Sequence, residues 1–178
     1  IVAGIAYNKV QLKGLDKASL QADRAIMELL DQISADYQWE EDELTVQKSN
    51  LVPFIFDATH CPDLFPSLAV LAALTEGVSC IKGVSRLTHK ESDRGKVIQL
   101  EWAKVGIEVS LEKEEMRIDG GGIIKGTALL AHNDHRIAMA LAVLSCSAQG
   151  ESQIQDASCV SKSYPDFLND FATMSVNL

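Results

Sequence analysis

Two segments of the chain are apolar on almost every side of a helix. Residues 66–74 run Pro-Ser-Leu-Ala-Val-Leu-Ala-Ala-Leu, and residues 137–144 run Ile-Ala-Met-Ala-Leu-Ala-Val-Leu. A helix without a polar face must be enclosed by protein or lipid, and both segments are shorter than the roughly 18 apolar residues that span a bilayer. The pattern therefore predicts two helices buried in the middle of a folded domain, with Pro66 in the first turn of one of them.

Shorter patterned segments surround these two helices. Strands are predicted at residues 9–12, 43–46, 78–81 and 116–118, which are short, β-leaning and bounded by glycine or acidic turns. Helices with one apolar face are predicted from two sets of residues, Ile26, Leu29, Leu30 and Ile33, and Ile98, Trp102 and Val105. Gly106 stands where the second of these helices would end.

The same landmarks recur about seventy residues apart. They return after 69, 70 and 72 residues: Leu12-Lys13-Gly14-Leu15 as Ile81-Lys82-Gly83-Val84, Gln21-Ala22-Asp23-Arg24 as Glu91-Ser92-Asp93-Arg94, and Leu44-Thr45-Val46 as Met116-Arg117-Ile118. A weaker third copy covers residues 154–156 and 161–171. Self-similarity at a fixed period indicates one unit used repeatedly. The sequence thus predicts a single α/β domain, residues 1–178, of three β-α-β-α-β-β units at about 1–48, 49–120 and 121–178.

The beginning of the chain fits this repeat only in part. It starts at Ile1-Val2-Ala3-Gly4, without an initiator Met and inside an apolar segment. Residues 1–6 match the tail of the central helix that the first unit should contain. We therefore expect a truncated first unit and a chain cut from a longer protein.

Composition excludes several classes of function. The chain has 178 residues, of which 47% are hydrophobic, and a formal net charge of −9. Because surfaces that bind nucleic acids or anionic membranes need a clustered excess of Lys and Arg, this negative charge argues against both functions. No signal-peptide pattern is present. The four cysteines show neither Cys-x-x-Cys spacing nor the density of a secreted scaffold, which indicates reduced thiols and a cytoplasmic protein.

The first candidate for chemistry is the charged run Lys90-Glu91-Ser92-Asp93-Arg94, between a predicted strand and a predicted helix. Backbone N–H groups at such a corner are unpaired, and the helix start carries roughly half a positive charge, so anions are favoured there. A solvated, ion-paired corner is the other interpretation of a charged run.

Charged residues also precede both buried helices. Asp63 lies near the start of one, where a carboxylate caps a helix or stabilises its dipole by about 0.3–1 kcal/mol. Arg136 lies at the start of the other, where a cation opposes the dipole. Its partner would be Asp134 or the carboxylate or phosphate of a ligand. His132-Asn133-Asp134-His135 does not have a recurrent zinc spacing, so no metal is expected.

The repeat suggests how the cations are arranged. Lys162 occupies the place in its unit that Lys90 occupies in the second unit, and quasi-threefold packing would bring both to one end of the domain with Arg94 and Arg136. Close cations repel by about 4 kcal/mol per pair at an effective dielectric near 20. Such a site requires either polyanionic ligands or interspersed carboxylates, for which the sequence offers Asp63, Glu91 and Asp93.

These motifs, in order and spacing, resemble the carboxy-terminal half of the 5-enolpyruvylshikimate-3-phosphate synthase (3-phosphoshikimate 1-carboxyvinyltransferase) family. The likeness covers essentially the whole chain and is carried by Pro62-Asp63, residues 86–94, Asn133-Asp134-His135-Arg136-Ile137-Ala138-Met139 and Lys162-Ser163-Tyr164-Pro165-Asp166-Phe167, with Gln21-Ala22-Asp23 fitting as well. The Lys-Glu-Ser-Asp-Arg run together with Asp-His-Arg is highly specific.

The resemblance implies an inside-out α/β barrel and an enzyme that transfers the enolpyruvyl group of phosphoenolpyruvate to the 5-hydroxyl of shikimate 3-phosphate, without metal or organic cofactor. Carried over by motif, Arg94, Arg136 and Lys162 would bind phosphoenolpyruvate, and Lys90 and Arg86 would face shikimate 3-phosphate. Asp63 would be the general base and Glu91 the proton donor to carbon, with Lys162 a participant in proton transfer. Base and acid in one dry pocket are the minimum for this addition.

The sequence departs from the family's pattern at a few positions, and alternative functions remain. Thr88 stands where relatives often carry Arg, and His89 where an apolar residue is common, so local packing is expected to differ. The family's amino-terminal domain is missing, so we expect this chain alone to be inactive. We expect the complete protein to be a monomer. The alternatives are a non-catalytic domain of the same fold and the sister transferase acting on UDP-N-acetylglucosamine.

Overall fold

The computed structural model describes residues 1–88 and 90–175 of the chain, so His89 lies outside the described residues. The helices are α1 (Val2–Ala6), α2 (Ile26–Gln32), α3 (Phe65–Leu74), α4 (Arg94–Lys104), α5 (His135–Ser145) and α6 (Phe167–Ser175). The strands are β1 (Val10–Leu12), β2 (Tyr37–Glu40), β3 (Glu43–Val46), β4 (Ile55–Asp57), β5 (Gly77–Lys82), β6 (Glu108–Glu112), β7 (Glu115–Gly120), β8 (Ala128–Leu130) and β9 (Gln153–Gln155). Short 3₁₀ turns cover Ala22–Ala25, Pro62–Leu64, Val84–Leu87 and Ala157–Lys162.

Helix α3 lies at the centre of the molecule, as its apolar sequence predicts. All its residues except Ser67 and Leu74 are buried, and it packs against α1, α4, α5, β5 and β7. Helix α5 is less enclosed, because Met139 and Val143 are half-buried along a groove. The prediction of a buried helix is therefore confirmed for α3 and holds for one face of α5. No helix in the described part of the chain is long and apolar enough to cross a membrane.

Three sheets surround these helices. Strands β1, β3 and β2 form an antiparallel sheet in the order β1-β3-β2. Strands β5, β7 and β6 have the same antiparallel order, and β4 is added parallel to β5, with α3 as the crossover between β4 and β5. Strands β8 and β9 form a parallel pair. The chain therefore uses one strand-helix-hairpin order twice within its first 120 residues.

The hairpin β2–β3 shows one element that the sequence pattern did not reveal. Strand β2 precedes the predicted acidic turn and pairs with β3 from Tyr37–Val46 to Glu40–Glu43. Its residues alternate between half-buried and exposed, but four residues are too few for the alternation to stand out after a helix. Glu41 takes the left-handed conformation that closes the hairpin, with φ of 53°.

The parallel strands set the position of the candidate site. Parallel strands end at the same edge of a sheet, and the loops after their carboxyl ends commonly hold functional residues. Asp63 follows β4, and Lys90 and Arg94 follow β5. In the other parallel pair, Arg136 follows β8 and Lys162 follows β9. The charged residues that the sequence indicated thus lie in the turns and helix starts that follow the carboxyl ends of four parallel strands.

Candidate active site

The buried side chain of Arg94 is the centre of an ion-pair cluster. Arg94 is the first residue of α4, which Asp93 caps with its side chain, and the Arg94 guanidinium is fully shielded from solvent. Its Nε donates to Asp134 Oδ2 at 2.8 Å, its Nη1 to Asp63 Oδ1 at 2.6 Å and its Nη2 to Glu91 Oε2 at 2.6 Å. Burial acts to lower the pKa of Arg94, but the adjacent carboxylates outweigh it and raise the pKa above its ordinary value.

Asp63 is shared by three cations from two segments of the chain. Besides Arg94, Lys90 Nζ lies 3.0 Å from Asp63 Oδ1, and Arg136 Nη2 lies 3.0 Å from Oδ2. Burial acts to raise the pKa of Asp63, but hydrogen bonds from Arg94 and Lys90 and the charge of Arg136 lower it below the ordinary value. The capping interpretation of Asp63 is wrong, since α3 has no side-chain cap, and the carboxylate bonds to cations instead.

Asp134 is fully buried and holds two elements together. Its side chain caps α5 by accepting the backbone N–H of Arg136 at 3.0 Å, and it also accepts from Arg94 and from Ser92 Oγ at 3.0 Å. Burial acts to raise the pKa of Asp134, but these donors lower it below its ordinary value. Asp134 is not the side-chain partner of Arg136, because that guanidinium turns to Asp63 and to Asp23, whose Oδ2 lies 3.9 Å from Nη1.

Asp23 is a member of the cluster to which the sequence analysis gave no role. It lies in the 3₁₀ turn Ala22–Ala25, and burial raises its pKa, with the nearby charge of Asp63 acting in the same direction while Arg136 opposes both. The match of Gln21-Ala22-Asp23 to Glu91-Ser92-Asp93 was the signal that could have found it, since both triads lie shortly before a helix.

Lys162 bonds to the loop beside the cluster, and Arg86 lies outside the cluster. Lys162 Nζ donates to both the backbone oxygen and the side-chain Oδ1 of Asn133, each at 2.8 Å. Arg86 is exposed in the 3₁₀ turn Val84–Leu87 and has no ion pair among the described residues. The structure thus brings Lys90, Arg94 and Arg136 together on Asp63, with Lys162 bonded one residue from Asp134.

A groove of about 500 Å³ opens beside Asp63 and Arg136. Its other walls are largely apolar and come from α1, α3, α5 and α6, including Val2, Val70, Met139 and Phe167. A partly apolar cavity next to a few charged groups has the form of a small-molecule site. Here the charged end lies at the carboxyl edge of the strands.

The donor set suits anions rather than a metal ion. The described residues contain no group of three or more His, Cys, Asp or Glu that could hold a metal. His132 Nε2 lies 2.9 Å from Glu101 Oε1, while Asp134 binds Arg94, so this motif directs its ligating groups to different partners. Lys90 and Arg136 keep 28% and 33% of their side chains exposed, and an incoming carboxylate or phosphate would compete with Asp63 for them.

The chain matches one family of known proteins. A family model described as EPSP synthase (3-phosphoshikimate 1-carboxyvinyltransferase) matches residues 1–171. The 3-phosphoshikimate 1-carboxyvinyltransferase of Clostridium novyi is 39% identical over 96% of this chain and 39% of its own length. That of Pyrococcus abyssi is 40% identical over 96% of this chain and 41% of its own length.

Solved structures give the same result. An EPSP synthase from Acinetobacter baumannii superposes with a TM-score of 0.84 at 25% identity, covering 98% of this chain and 43% of that one. The enolpyruvyl transferase NikO from Streptomyces tendae, at 22% identity and a TM-score of 0.73, shares the fold and covers 97% of this chain and 40% of its own. The chain thus spans about two fifths of the length of the relatives it matches. With this fold, this cluster and these matches, the chain belongs to the EPSP synthase (3-phosphoshikimate 1-carboxyvinyltransferase) family.

Proposed function

We propose that the chain is the carboxy-terminal half of a transferase that moves the enolpyruvyl group of phosphoenolpyruvate to the 5-hydroxyl of shikimate 3-phosphate and releases phosphate. The observation that carries the proposal is the sharing of Asp63 by Lys90, Arg94 and Arg136 beside a groove, in a member of this family. Two phosphorylated, carboxylated substrates need several cations, and the reacting hydroxyl needs a carboxylate base among them.

The roles of the cations follow from their exposure. Arg136 and Lys162 bind the anionic groups of phosphoenolpyruvate, since both are accessible from the cleft edge. Arg94 is fully shielded and reaches the same ligand through Nη2 when Glu91, which is 41% exposed, turns away from it. Lys90 binds the shikimate 3-phosphate side, and Arg86 bonds the outer part of that ligand, because its side chain is exposed.

The two carboxylates divide the proton transfers. Asp63 accepts the proton of the 5-hydroxyl while the hydroxyl oxygen bonds to the central carbon of phosphoenolpyruvate. Glu91 gives a proton to the methylene carbon. Loss of phosphate, which takes up the proton held by Asp63, and return of one proton from the new methyl group to Glu91 then yield the enol ether, with Lys162 participating in proton transfer. When an anionic ligand takes Lys90 and Arg136 from Asp63, the loss of these cations makes Asp63 a stronger base.

We also infer the arrangement of the complete protein. Residues 1–178 form one carboxy-terminal domain, an inside-out α/β barrel of three units at about 1–48, 49–120 and 121–178. The equal strand orders β1-β3-β2 and β5-β7-β6 support the first two units. An amino-terminal domain supplies the other half of the cleft, because relatives are about two and a half times as long. The complete protein acts as a monomer, since one chain supplies the whole cleft.

Turnover of the two substrates tests the proposal. A protein in which this chain follows an amino-terminal domain of the same family should release phosphate and form the enol ether. A phosphate assay and ³¹P NMR measure these two products. Arg136→Ala should lower kcat/KM by at least about a hundredfold, since a bidentate anion contact is lost. Arg117→Ala, at an exposed pair with Glu115 that does not line the groove, is the matched control and should change kcat/KM less than twofold. No turnover by the two-domain protein would refute the function, and turnover by the chain alone would refute the need for the other domain.

A further inference from the structure

Glu101 is a buried carboxylate on α4 that does not touch the ion-pair cluster. Its side chain is fully shielded from solvent, and both of its oxygens are occupied. Lys104 Nζ lies 2.7 Å from Oε1 and 2.8 Å from Oε2, His132 Nε2 lies 2.9 Å from Oε1, and the backbone N–H of Leu130 donates to Oε2 at 3.0 Å. Two of these three partners belong to the segment that leads into α5.

That segment is strained in its backbone. His132 and Asn133 have φ angles of 53° and 56°, so two consecutive residues with side chains take the left-handed conformation. Such residues persist only where the surroundings hold them, and they cluster at functional sites. The bonds from Glu101 reach Leu130, which precedes the strained pair, and the side chain of His132, which is the first residue of the pair.

The second residue of the strained pair, Asn133, contacts the site. The oxygens of Asn133 accept both hydrogen bonds from Lys162 Nζ. The next residue is the buried Asp134, which caps α5 and binds Arg94. Any rotation of the backbone at 132 or 133 therefore displaces Lys162 and Asp134 together.

We infer that Glu101 is a positioning residue: by binding Leu130 N–H and His132 from α4, it holds residues 130–133 in the turn that places Lys162 and Asp134 in the phosphoenolpyruvate end of the site. This inference rests on the proposed function for its substrate and on the geometry above for its mechanism. Burial acts to raise the pKa of Glu101, but hydrogen bonds from Lys104, His132 and Leu130 outweigh it and lower the pKa, which keeps the group an ionised acceptor.

A purely structural role for Glu101 makes a different prediction. The pair with Lys104 is an i,i+3 contact within one helix and leads to a side chain that is 35% exposed. If Glu101 served only the stability of α4, loss of Lys104 and loss of the Glu101 charge would have similar effects. Lys104→Met therefore provides a matched control that leaves the bonds to Leu130 and His132 in place.

Steady-state kinetics of the two-domain protein test the inference. Glu101→Gln should raise the KM for phosphoenolpyruvate and lower kcat/KM for it by about tenfold to a hundredfold, since misplacement by about 1 Å can cost that much. The KM for shikimate 3-phosphate should change less than twofold, and Lys104→Met should change neither. His132→Gln, at a partly exposed side chain, should act in the direction of Glu101→Gln and is used if that variant does not fold. Equal effects of Glu101→Gln and Lys104→Met, or equal rises in both KM values, would overturn the inference.

A second measurement separates this inference from the proposed function. Hydrogen exchange of the Leu130 amide in the 178-residue chain should accelerate at least tenfold in Glu101→Gln relative to Lys104→Met, whatever the substrates are. If the two-domain protein shows no turnover while Leu130 exchange accelerates, the proposed function fails and the positioning contact stands. Unchanged exchange of Leu130 overturns the positioning role in either case.

Discussion

Replacing Arg94 by Met should test whether the buried cluster depends on charge compensation. Of the three carboxylates that Arg94 binds, Asp63 keeps Lys90 and Arg136, and Glu91 is 41% exposed and regains water. Only Asp134 becomes a fully buried carboxylate without a cation. One uncompensated buried charge is therefore the main consequence of the replacement.

The magnitude follows from that count. Breaking a buried ion pair by removing one partner costs about 3–5 kcal/mol. Asp134 retains the donors Ser92 Oγ and the Arg136 N–H, both at 3.0 Å, so we expect the lower end, about 3 kcal/mol of unfolding free energy at pH 7. Arg117→Met, at an exposed pair with Glu115, should cost about 0–1 kcal/mol. Urea denaturation of the chain, followed by circular dichroism, measures both.

The pH dependence of the free energy of unfolding tests the same reasoning independently. The folded-state pKa of Asp134 is below its ordinary value, so the stability from its pair is present above that ordinary value and lost as pH falls through the depressed pKa. In Arg94→Met, burial without the guanidinium raises the pKa of Asp134 above its unfolded value, so protonation stabilises the folded variant as pH falls. The difference in stability between wild type and variant should therefore shrink from pH 7 toward about pH 4.

Two outcomes would refute this reasoning. One is a cost of Arg94→Met within about 1 kcal/mol of Arg117→Met at pH 7. The other is a difference that stays constant between pH 7 and about pH 4. Adding Asp134→Asn to Arg94→Met should recover about 2 kcal/mol, because Asn removes the charge and is still a good helix cap. The absence of recovery would show that packing, rather than charge, is the cause.

Two further stability predictions rest on local geometry. Gly83→Ala should lower the free energy of unfolding by about 2 kcal/mol or more in urea denaturation, because Gly83 has φ of 102° and an added Cβ would lie 2.7 Å from the backbone of Thr59. Gly122→Ala, where an added Cβ meets nothing within 4 Å, is the control. Equal losses in the two variants would contradict the steric argument. Trp102→Phe should cost about 2–3 kcal/mol by thermal denaturation, because the buried indole N–H donates to the Ala69 oxygen at 3.1 Å and its second ring fills the core. A loss below 1 kcal/mol would show that the core closes around the smaller ring.

The hydrophobic pattern predicted much of the fold because burial imposes it directly. An all-apolar run such as residues 66–74 has few alternatives to a central helix, and α3 is buried as expected. Strand β2 was missed because hairpin pairing, rather than a clear alternation, makes Tyr37–Glu40 a strand. The enclosure of α5 also depends on other elements, namely those across the groove from Met139, and the sequence of α5 does not specify them.

The candidate site was predictable as a set of charges and less so as a set of contacts. Its cations follow strands and precede helices, so their meeting at one edge follows from topology. A carboxylate, however, chooses among competing donors by small differences in packing, and Asp63 binds cations rather than helix N–H groups. Arg86 lies outside the ion-pair cluster and faces solvent, because Leu87 is the buried residue of its 3₁₀ turn, and its role toward a substrate stays a prediction.

The separation between the two edges of the main sheet offers a practical consequence. Asp63, Lys90 and Arg94 of the candidate site follow the carboxyl ends of β4 and β5, whereas Gly122 lies just beyond Gly120, which pairs with Gly77 at the other end of β5. Gly122 is exposed with open space around it, and a cysteine introduced there could carry a fluorophore once the exposed thiol of Cys146 is replaced. A reporter at that position would follow motion of this domain without touching the candidate site.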